Sequence, residues 1–239
     1  MVEKRIVPFI ADEKLIEAVR RVVSRAKSKL DKAEKTLDKN VLDPFSALFE
    51  SIINGIEPEE WLLQERGRQI QKTIQQAVGD FHQEIIGGID GWENMGKGHL
   101  VDVRNMEKKI VAEVKSKHNT VTGQHLPRIY DELKHALDQA QYKGFTGYFI
   151  HMVPKKKEHT KYFTPSDNRK KKNRPQNNNI IEISGWLFYD IATGQKDSLY
   201  TLYSALPRVL KEHCSCDPKS FGSQQIVKGI FNRTYKDAV

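Results

Sequence analysis

The stretch HLVDVRNMEKKIVAEVKSKHNT, residues 99–120, carries the clearest structural signal in this sequence. It consists of two apolar runs joined by a polar turn at residues 105–108, and apolar residues alternate with other residues in both runs. A period of two on either side of a turn predicts a β-hairpin. The hairpin carries charge where a sheet favours valine and isoleucine, because Asp102 lies in its first run and Glu113 and Lys115 lie in its second.

These three charged side chains are expected to share one face of the sheet. Residues two apart in a strand point the same way, so Glu113 and Lys115 emerge side by side, and Asp102 can reach that face from the neighbouring strand. Burying two nearby carboxylates is costly unless a cation compensates them. Mg²⁺ accepts one or two carboxylates and completes its shell with water and phosphate. We therefore predict a metal site for phosphodiester hydrolysis, with Lys115 orienting the attacking water or stabilising charge in the transition state.

An acid followed at some distance by Glu-x-Lys is not specific enough to identify this site, because similar motifs occur elsewhere in the chain. Glu107 belongs to the polar turn, and Glu132 belongs to a predicted helix of ordinary exposed charges. Only the set in the hairpin has apolar strand residues around both acids. The alternative interpretation is a cross-strand salt bridge on a half-exposed sheet.

The surrounding periodicities predict an α/β core with a helical N-terminal extension. Apolar residues at 3.6-residue spacing predict helices over about 12–38, 44–53, 58–88, 126–142 and 198–213. Strands are predicted at 147–153 and 180–184, with a weaker signal in the segment DGWENMGKG, residues 90–98. We expect a helical extension over 1–57, a core over 58–215 containing a basic loop at 155–179, and a C-terminal segment, 216–239, without assigned structure.

Composition favours a cytoplasmic protein that binds a polyanion. The 239 residues carry a net charge of +8 and a pI near 9.3. Residues 155–174 contain nine Lys or Arg and two acids, hence a net charge of +7. No apolar run is long enough to span a bilayer, the N-terminus does not resemble a secretory signal, and Cys214 and Cys216 are interpreted as thiols of a reducing compartment. Concentrated basic charge attracts nucleic acid, although such runs are often only solvated loops.

Candidate DNA contacts follow the hairpin and fill the basic loop. Lys117 shares the face of Glu113 and is a rival to Lys115, but its place near the strand end suits a phosphate contact better. A histidine–metal nuclease built on His118 and Asn119 would need a second ligand histidine in a ββα context, so these residues are interpreted as capping the strand or touching DNA. The side chains of Arg, Lys, Gln and Asn can read base edges. The candidates in the loop are Arg169, Lys170, Lys171, Lys172, Arg174, Gln176 and Asn177.

With these residues in view, the sequence resembles the PD-(D/E)xK nuclease superfamily, and more narrowly the type II restriction endonucleases of the Eco47II type that cut GGNCC. The stretches that carry the resemblance span roughly residues 79–210, and HLVDVRN and AEVKSKHNT are the most specific of them. One departure is Val101, which stands where many members of the superfamily have proline.

The resemblance implies a mixed central sheet flanked by helices, as in restriction endonucleases. It implies that Asp102, Glu113 and the main-chain carbonyl of Val114 bind Mg²⁺, and that Lys115 is the catalytic lysine. It further implies a homodimer on a two-fold-symmetric site and cuts that leave short 5′ overhangs. Glu84 lies on the helix where some relatives supply another acid to the metal, although an exposed helical glutamate is the better interpretation.

We therefore predict a Mg²⁺-dependent, site-specific endonuclease of double-stranded DNA that belongs to a restriction–modification system. A repair or junction nuclease of the same fold is one alternative. A basic DNA-binding protein without catalysis, in which the three hairpin residues form only a salt-bridge cluster, is another. No P-loop and no glycine-flanked serine elbow occurs in the sequence, which argues against nucleotide hydrolysis and acyl transfer.

Overall fold

The structure, a computed structural model, describes residues 5–36, 42–119, 121, 123–167, 171–216 and 224–235. Its helices are α1 (Asp12–Thr36), α2 (Pro44–Asn54), α3 (Pro58–Gly88), α4 (Leu126–Asp138), α5 (Gly185–Thr193), α6 (Ser198–Cys214) and α7 (Gln224–Tyr235). Its strands are β1 (Trp92–Asn94), β2 (Val103–Asn105), β3 (Ile110–Lys117), β4 (Thr146–Val153), β5 (Thr160–Tyr162), β6 (Ser166–Asp167), β7 (Lys172–Asn173) and β8 (Ile180–Ser184). A short 3₁₀ helix, Ala140–Tyr142, lies between α4 and β4.

Six strands form one mixed sheet in the order β1-β2-β3-β4-β8-β5. The pairs β1–β2, β2–β3 and β5–β8 are antiparallel, whereas β3–β4 and β4–β8 are parallel. Strands β6 and β7 form a separate two-stranded ribbon. Helix α4 connects the parallel strands β3 and β4, because parallel neighbours need a crossover rather than a tight turn. The mixed sheet with helices confirms the predicted fold class.

Helices α4 and α5 cover opposite faces of the central strands. On one face, Val111 and Phe149 belong to the same apolar cluster as Leu133 of α4. On the other face, Tyr148 packs edge-on against Phe188 of α5, with ring centroids 5.5 Å apart. A Cβ atom at Gly185 would lie 2.8 Å from the Cα atom of Met152, so the start of α5 can approach β4 this closely only as glycine.

The predicted hairpin and most predicted helices are confirmed. Strands β2 and β3 pair around the turn, the weak signal after residue 90 is strand β1, and α2 ends at Gly55 with a left-handed φ of 62°. The predicted helix over 126–142 breaks at Gln139, whose backbone is extended. The predicted end of the first helix at residue 38 lies outside the described residues.

Three kinds of element were missed for physical reasons. Helix α5 is nine residues long and mostly buried around its circumference, so it shows no amphipathic period. Strands β5, β6 and β7 have two or three residues each, which is too short for a pattern. Helix α7 lies within the segment left unassigned, and its Tyr235 hydroxyl donates to the Met152 carbonyl over 2.7 Å.

The chain forms two compact units, Met1–Val19 with Gly79–Val239, and Arg20–Val78. These limits do not coincide with the expected boundaries at 57/58 and 215/216, which stay a prediction about domains. The eight strands of the described residues and the predicted catalytic residues belong to the first unit. Within the described residues, no helix combines the length and the apolar character that crossing a membrane requires.

Candidate active site

Asp102 is fixed against β3 by both its main chain and its side chain. It immediately precedes β2, and its N–H donates to the Ala112 carbonyl over 2.9 Å. Its own carbonyl accepts a hydrogen bond of 2.8 Å from the N–H of Met95. Its carboxylate oxygen Oδ2 accepts a further hydrogen bond of 2.7 Å from the N–H of Val114. The position of the Asp102 carboxylate is therefore set by the hairpin itself.

Glu113 and Lys115 meet this carboxylate from β3. They are two residues apart in the strand and share a face, and Lys115 Nζ donates to Glu113 Oε1. The carboxyl groups of Asp102 and Glu113 lie close enough for the charge of Asp102 to act on Glu113. The Glu113 side chain is 14% exposed and that of Lys115 is 33% exposed. The structure thus brings the three predicted catalytic residues together in one largely buried cluster.

The environment disfavours two full negative charges in this cluster. Burial, together with the charge of Asp102, raises the pKa of Glu113 to about 7. Burial also raises the pKa of Asp102, against the opposing effect of the hydrogen bond from Val114. Burial by itself would lower the pKa of Lys115, but the adjacent Glu113 carboxylate raises it overall. Two acids held close together in a poorly solvated position fit a site for an added cation.

The donor set that could hold such a cation consists mainly of oxygen atoms. Within the described ranges, no group of three or more Asp, Glu, His or Cys side chains is placed to hold a metal ion. A third ligand would therefore come from the main chain. The N–H and C=O of one strand residue point to the same edge of the strand, and the Val114 N–H points to Asp102. The carbonyl of Val114 is thus on the correct edge to join the two carboxylates, and an oxygen set suits Mg²⁺.

Helix α3 brings a third acid, Asp80, towards this cluster. The negative charge of Asp80 adds to the burial that raises the pKa of Asp102. Glu84, the α3 residue that the resemblance suggested, lies one helical turn further on and is partly buried. The structure therefore places Asp80, an acid that the sequence analysis did not single out, where its charge acts on Asp102. Residues four apart share a helix face, so sequence spacing could not distinguish Asp80 from Glu84.

Helix α4 contributes another acid that the sequence analysis set aside. The Glu132 charge adds to the burial and the Asp102 charge that raise the pKa of Glu113. Glu132 also forms an ion pair with Arg128, whose Nε lies 2.8 Å from Glu132 Oε1. This pair therefore lies near the cluster, although in the sequence it resembles an ordinary i,i+4 surface pair.

The residues that follow β3 are exposed. Lys117 is the last residue of β3, and His118 and Asn119 form the turn that follows. The main-chain N–H of His118 donates to the Val153 carbonyl over 3.0 Å, which fixes this turn to the end of β4. Lys117 is further from Asp102 along the strand than Lys115 is, and Lys115 is the lysine in contact with Glu113.

The basic loop is only partly described. Arg169 and Lys170 lie outside the described residues, while Lys171 and Lys172 are exposed beside and within β7. Gln176 is exposed and its side chain donates to Asn178 over 2.9 Å. The Asn177 side chain accepts from the N–H of Asn179 over 3.0 Å, so it shapes the turn before β8.

Arg174 is the most constrained of the predicted DNA contacts. Its Nε and Nη2 donate to the two carboxylate oxygens of Asp131 over 2.9 and 2.6 Å. Its Nη1 donates to Asp167 over 2.6 Å, and the Arg174 side chain is only 14% exposed. In the DNA-free protein the guanidinium therefore joins α4 to the β6–β7 ribbon.

A cavity of about 350 Å³ opens beside this arginine. Its walls offer both hydrogen-bond donors and acceptors, which are the groups that read base edges. Because Glu132 lines the cavity and also acts on Glu113, the cavity lies near the carboxylate cluster. The lining residues are Gly123, Gln124, Pro127, Arg128, Asp131, Glu132, His135, Asp167 and Arg174.

Comparison with known proteins assigns the family. A sequence model of the Eco47II restriction endonuclease family matches residues 7–215. The chain belongs to the Eco47II restriction endonuclease family. It is 44% identical over 209 residues to the type II restriction enzyme Eco47II of Escherichia coli, covering 85% of this chain and 86% of that enzyme. It is 29% identical over 235 residues to the type II restriction enzyme Sau96I of Staphylococcus aureus, covering 96% and 88% respectively.

The family match confirms the predicted class of enzyme, a restriction endonuclease. The matched range contains the whole mixed sheet, the cluster in the hairpin and the cavity beside Arg174. Helix α7 lies beyond it. Since the match covers most of the chain, the family includes the N-terminal helices as well as the sheet.

Proposed function

We propose that this restriction endonuclease hydrolyses double-stranded DNA with Mg²⁺ as its cofactor, at the cluster of Asp102, Glu113 and Lys115. The observation that carries the proposal is the meeting of two largely buried carboxylates with one lysine at the same edge of the hairpin. A bound Mg²⁺ would supply a Lewis acid for the scissile phosphate and would acidify a water molecule.

The residues of the site have separate roles in binding the ion and in assisting the attack of water. Asp102, Glu113 and the Val114 carbonyl would hold the ion through oxygen, and the Val114 N–H holds the Asp102 carboxylate against β3. The Lys115 ammonium donates hydrogen bonds to the attacking water or to the phosphate oxygens that gain charge. The negative charge of Asp80 acts on Asp102, and no contact between Asp80 and the DNA is proposed.

The recognition sequence is proposed to be GGNCC, on the resemblance of HLVDVRN and AEVKSKHNT to enzymes that cut that sequence. A guanine- and cytosine-rich site asks for arginine or lysine on guanine and for acceptors on cytosine N4. The cavity beside Arg174 contains both kinds of group. The exposed Lys171 and Lys172 suit contacts with phosphate, which position a protein without reading sequence.

The proposal includes a homodimer that acts in the cytoplasm as part of a restriction–modification system. Its support is the family membership, together with the requirement that two strands of a two-fold-symmetric site be cut. Asp102, Glu113 and Lys115 form one centre in each chain, so two chains would supply one centre for each strand.

The decisive experiment is digestion of unmethylated plasmid DNA with and without Mg²⁺, followed by mapping of the fragment ends. Discrete fragments with ends at GGNCC that require Mg²⁺ are expected, and the Asp102→Ala variant should bind DNA without cutting it. Cleavage that follows branched or damaged structures would favour a repair nuclease. Binding without any cleavage by the wild-type protein would favour a DNA-binding protein.

A further inference from the structure

Helix α2 turns its apolar side outwards. Five large apolar residues recur at positions i, i+3, i+4, i+7 and i+8, which is one continuous face of a helix. Between 56% and 77% of each residue is exposed, and no residue of α2 is buried. This face, hereafter the α2 stripe, consists of Phe45, Leu48, Phe49, Ile52 and Ile53.

The opposite, more polar side of α2 faces α3 within the same compact unit. Glu50 accepts a hydrogen bond of 2.8 Å from Trp61 Nε1, and its carboxylate lies 3.1 Å from Arg68 Nη1. Ser46 and Ser51, also on that side, are partly covered. A surface helix ordinarily buries its apolar face and exposes its polar one. Helix α2 does the reverse: Glu50 attaches its polar side to Trp61 and Arg68, and the described residues leave the α2 stripe exposed.

The exposed apolar area is large enough for a protein interface. With roughly 200 Å² for a whole large apolar side chain, the stripe exposes about 670 Å². The largest apolar patch of a typical monomer is about 300–600 Å² and is often functional. Two such faces would bury about 1,300 Å² together, which is just above the lower limit of about 1,200 Å² for specific interfaces.

We propose that the α2 stripe pairs with the α2 stripe of a second copy of this chain around a two-fold axis. The stripe has no charged side chain, so two copies can meet there without like-charge repulsion, although each chain carries a net charge of +8. An isologous contact needs a self-complementary patch, and an uninterrupted apolar helix face is one. The inference rests on the proposed function, since a second chain supplies the centre that cuts the other strand.

The test is the mass of the full-length protein in solution, measured by sedimentation velocity at micromolar concentration without DNA or metal. The wild-type protein should sediment as a dimer of about 55 kDa, twice the 27.5 kDa of one chain. Ile53→Glu should sediment as a monomer, with dimerisation weakened roughly 100-fold or more, because a buried unpaired charge opposes association. The matched control is Ile230→Glu on α7, where the original side chain is 50% exposed outside the stripe, and it should remain a dimer.

A wild-type monomer, or a dimeric Ile53→Glu variant with native circular dichroism, would overturn the proposal. Cross-linking covers the case in which the charged variant fails to fold. In a chain with Cys214→Ser and Cys216→Ser, oxidation should link Phe49→Cys into a covalent dimer and should leave Ile230→Cys monomeric. Failure of Phe49→Cys to cross-link would contradict pairing through the stripe. Neither measurement involves cleavage, so a failure here leaves the proposed Mg²⁺ site standing.

Discussion

The main-chain N–H of Val114 donates a 2.7 Å hydrogen bond to the carboxylate of Asp102, from the strand that also carries Glu113. The backbone of β3 therefore holds the carboxylate of Asp102 in place. The hydrogen bond needs only an oxygen acceptor at residue 102, whereas binding a cation needs the negative charge. Substitution can separate these two roles.

Asp102→Asn should keep the fold and lose cleavage. Asparagine retains an oxygen that can accept from the Val114 N–H, but it removes one charge from the proposed metal site. We expect the single-turnover rate on supercoiled plasmid to fall about 1,000-fold or more at saturating Mg²⁺, with DNA binding retained. Glu107→Gln, in the exposed turn of the same hairpin, should leave the rate unchanged. A cleavage rate close to wild type in Asp102→Asn would rule out the proposed role.

Lys115 and Lys117, the two lysines of β3, should have different roles, one in cleavage and the other in DNA binding. Lys115 contacts Glu113, so Lys115→Met should lower the cleavage rate about 100-fold while changing DNA affinity little. Lys117→Met should instead weaken binding to all sequences alike and reduce the slope of log affinity against log salt by about one. Rates and salt-dependent affinities measured on one DNA duplex would distinguish the two residues. The reverse pattern would make Lys117 the catalytic lysine.

The acids of α3 provide a third comparison. Because Asp80 acts on Asp102 and Glu84 lies a turn away, Asp80→Asn should lower the cleavage rate about tenfold, as removal of outer groups around a metal site does. Glu84→Gln, on the same helix, should have the smaller effect. The Mg²⁺ concentration for half-maximal cleavage should shift in the same order. A larger effect at Glu84 would favour the metal-binding role that the resemblance suggests for it.

The sequence could predict the cluster because its signals are local. Alternation places Glu113 and Lys115 on one face, and the apolar residues around Asp102 indicate burial, so a hairpin is sufficient to bring the three together. The contribution of Asp80 depends on how α3 packs, and no residue pattern encodes that. Likewise, the apolar period of α2 predicts a helix but does not tell which side faces its own chain, so its exposure emerged only from the structure.

In the basic loop, the sequence predicted where the charge lies but not which charged side chains are already paired. Counting lysines and arginines located the segment, but Arg174 is paired with Asp131, which lies 43 residues earlier in the chain. Charge counting treats such an arginine as available to DNA, although its guanidinium is already engaged on three nitrogens. Long-range pairing of this kind depends on the tertiary fold, and no periodic pattern in the sequence predicts it.

Arg174 can be tested as a reader of bases by a conservative substitution. Arg174→Lys keeps the charge near Asp131 and Asp167 but loses the fork that matches guanine O6 and N7. We expect the ratio of cleavage rates at the preferred site and at a site with one changed base pair to fall about tenfold or more. Lys172→Arg, at an exposed position of β7, should leave that ratio unchanged. Equal loss of affinity for all sequences in Arg174→Lys would mark a phosphate contact.

Glu182 on β8 should make stability depend on pH in the acid range. Burial by itself would raise its pKa, but the hydrogen bond from His151 and the charge of Lys161 lower the pKa to about 2. His159 also lies 3.0 Å from the carboxylate. Because the folded-state pKa lies below the ordinary value of 4.5, the stabilisation is complete above about pH 4.5 and is lost as pH falls towards 2.

Glu182→Gln should therefore be less stable than the wild-type protein at pH 7, by about 2 kcal/mol in the free energy of unfolding. The difference should shrink as pH is lowered from 5 to about 3, where the wild-type carboxylate begins to take up its proton. Urea unfolding followed by circular dichroism at several pH values measures both quantities. The matched control is Glu93→Gln, because the Glu93 side chain is 54% exposed and pairs with Arg104 at the surface, where an ion pair contributes little. A stability difference that stays constant with pH would mean that Glu182 acts through packing rather than through its charge.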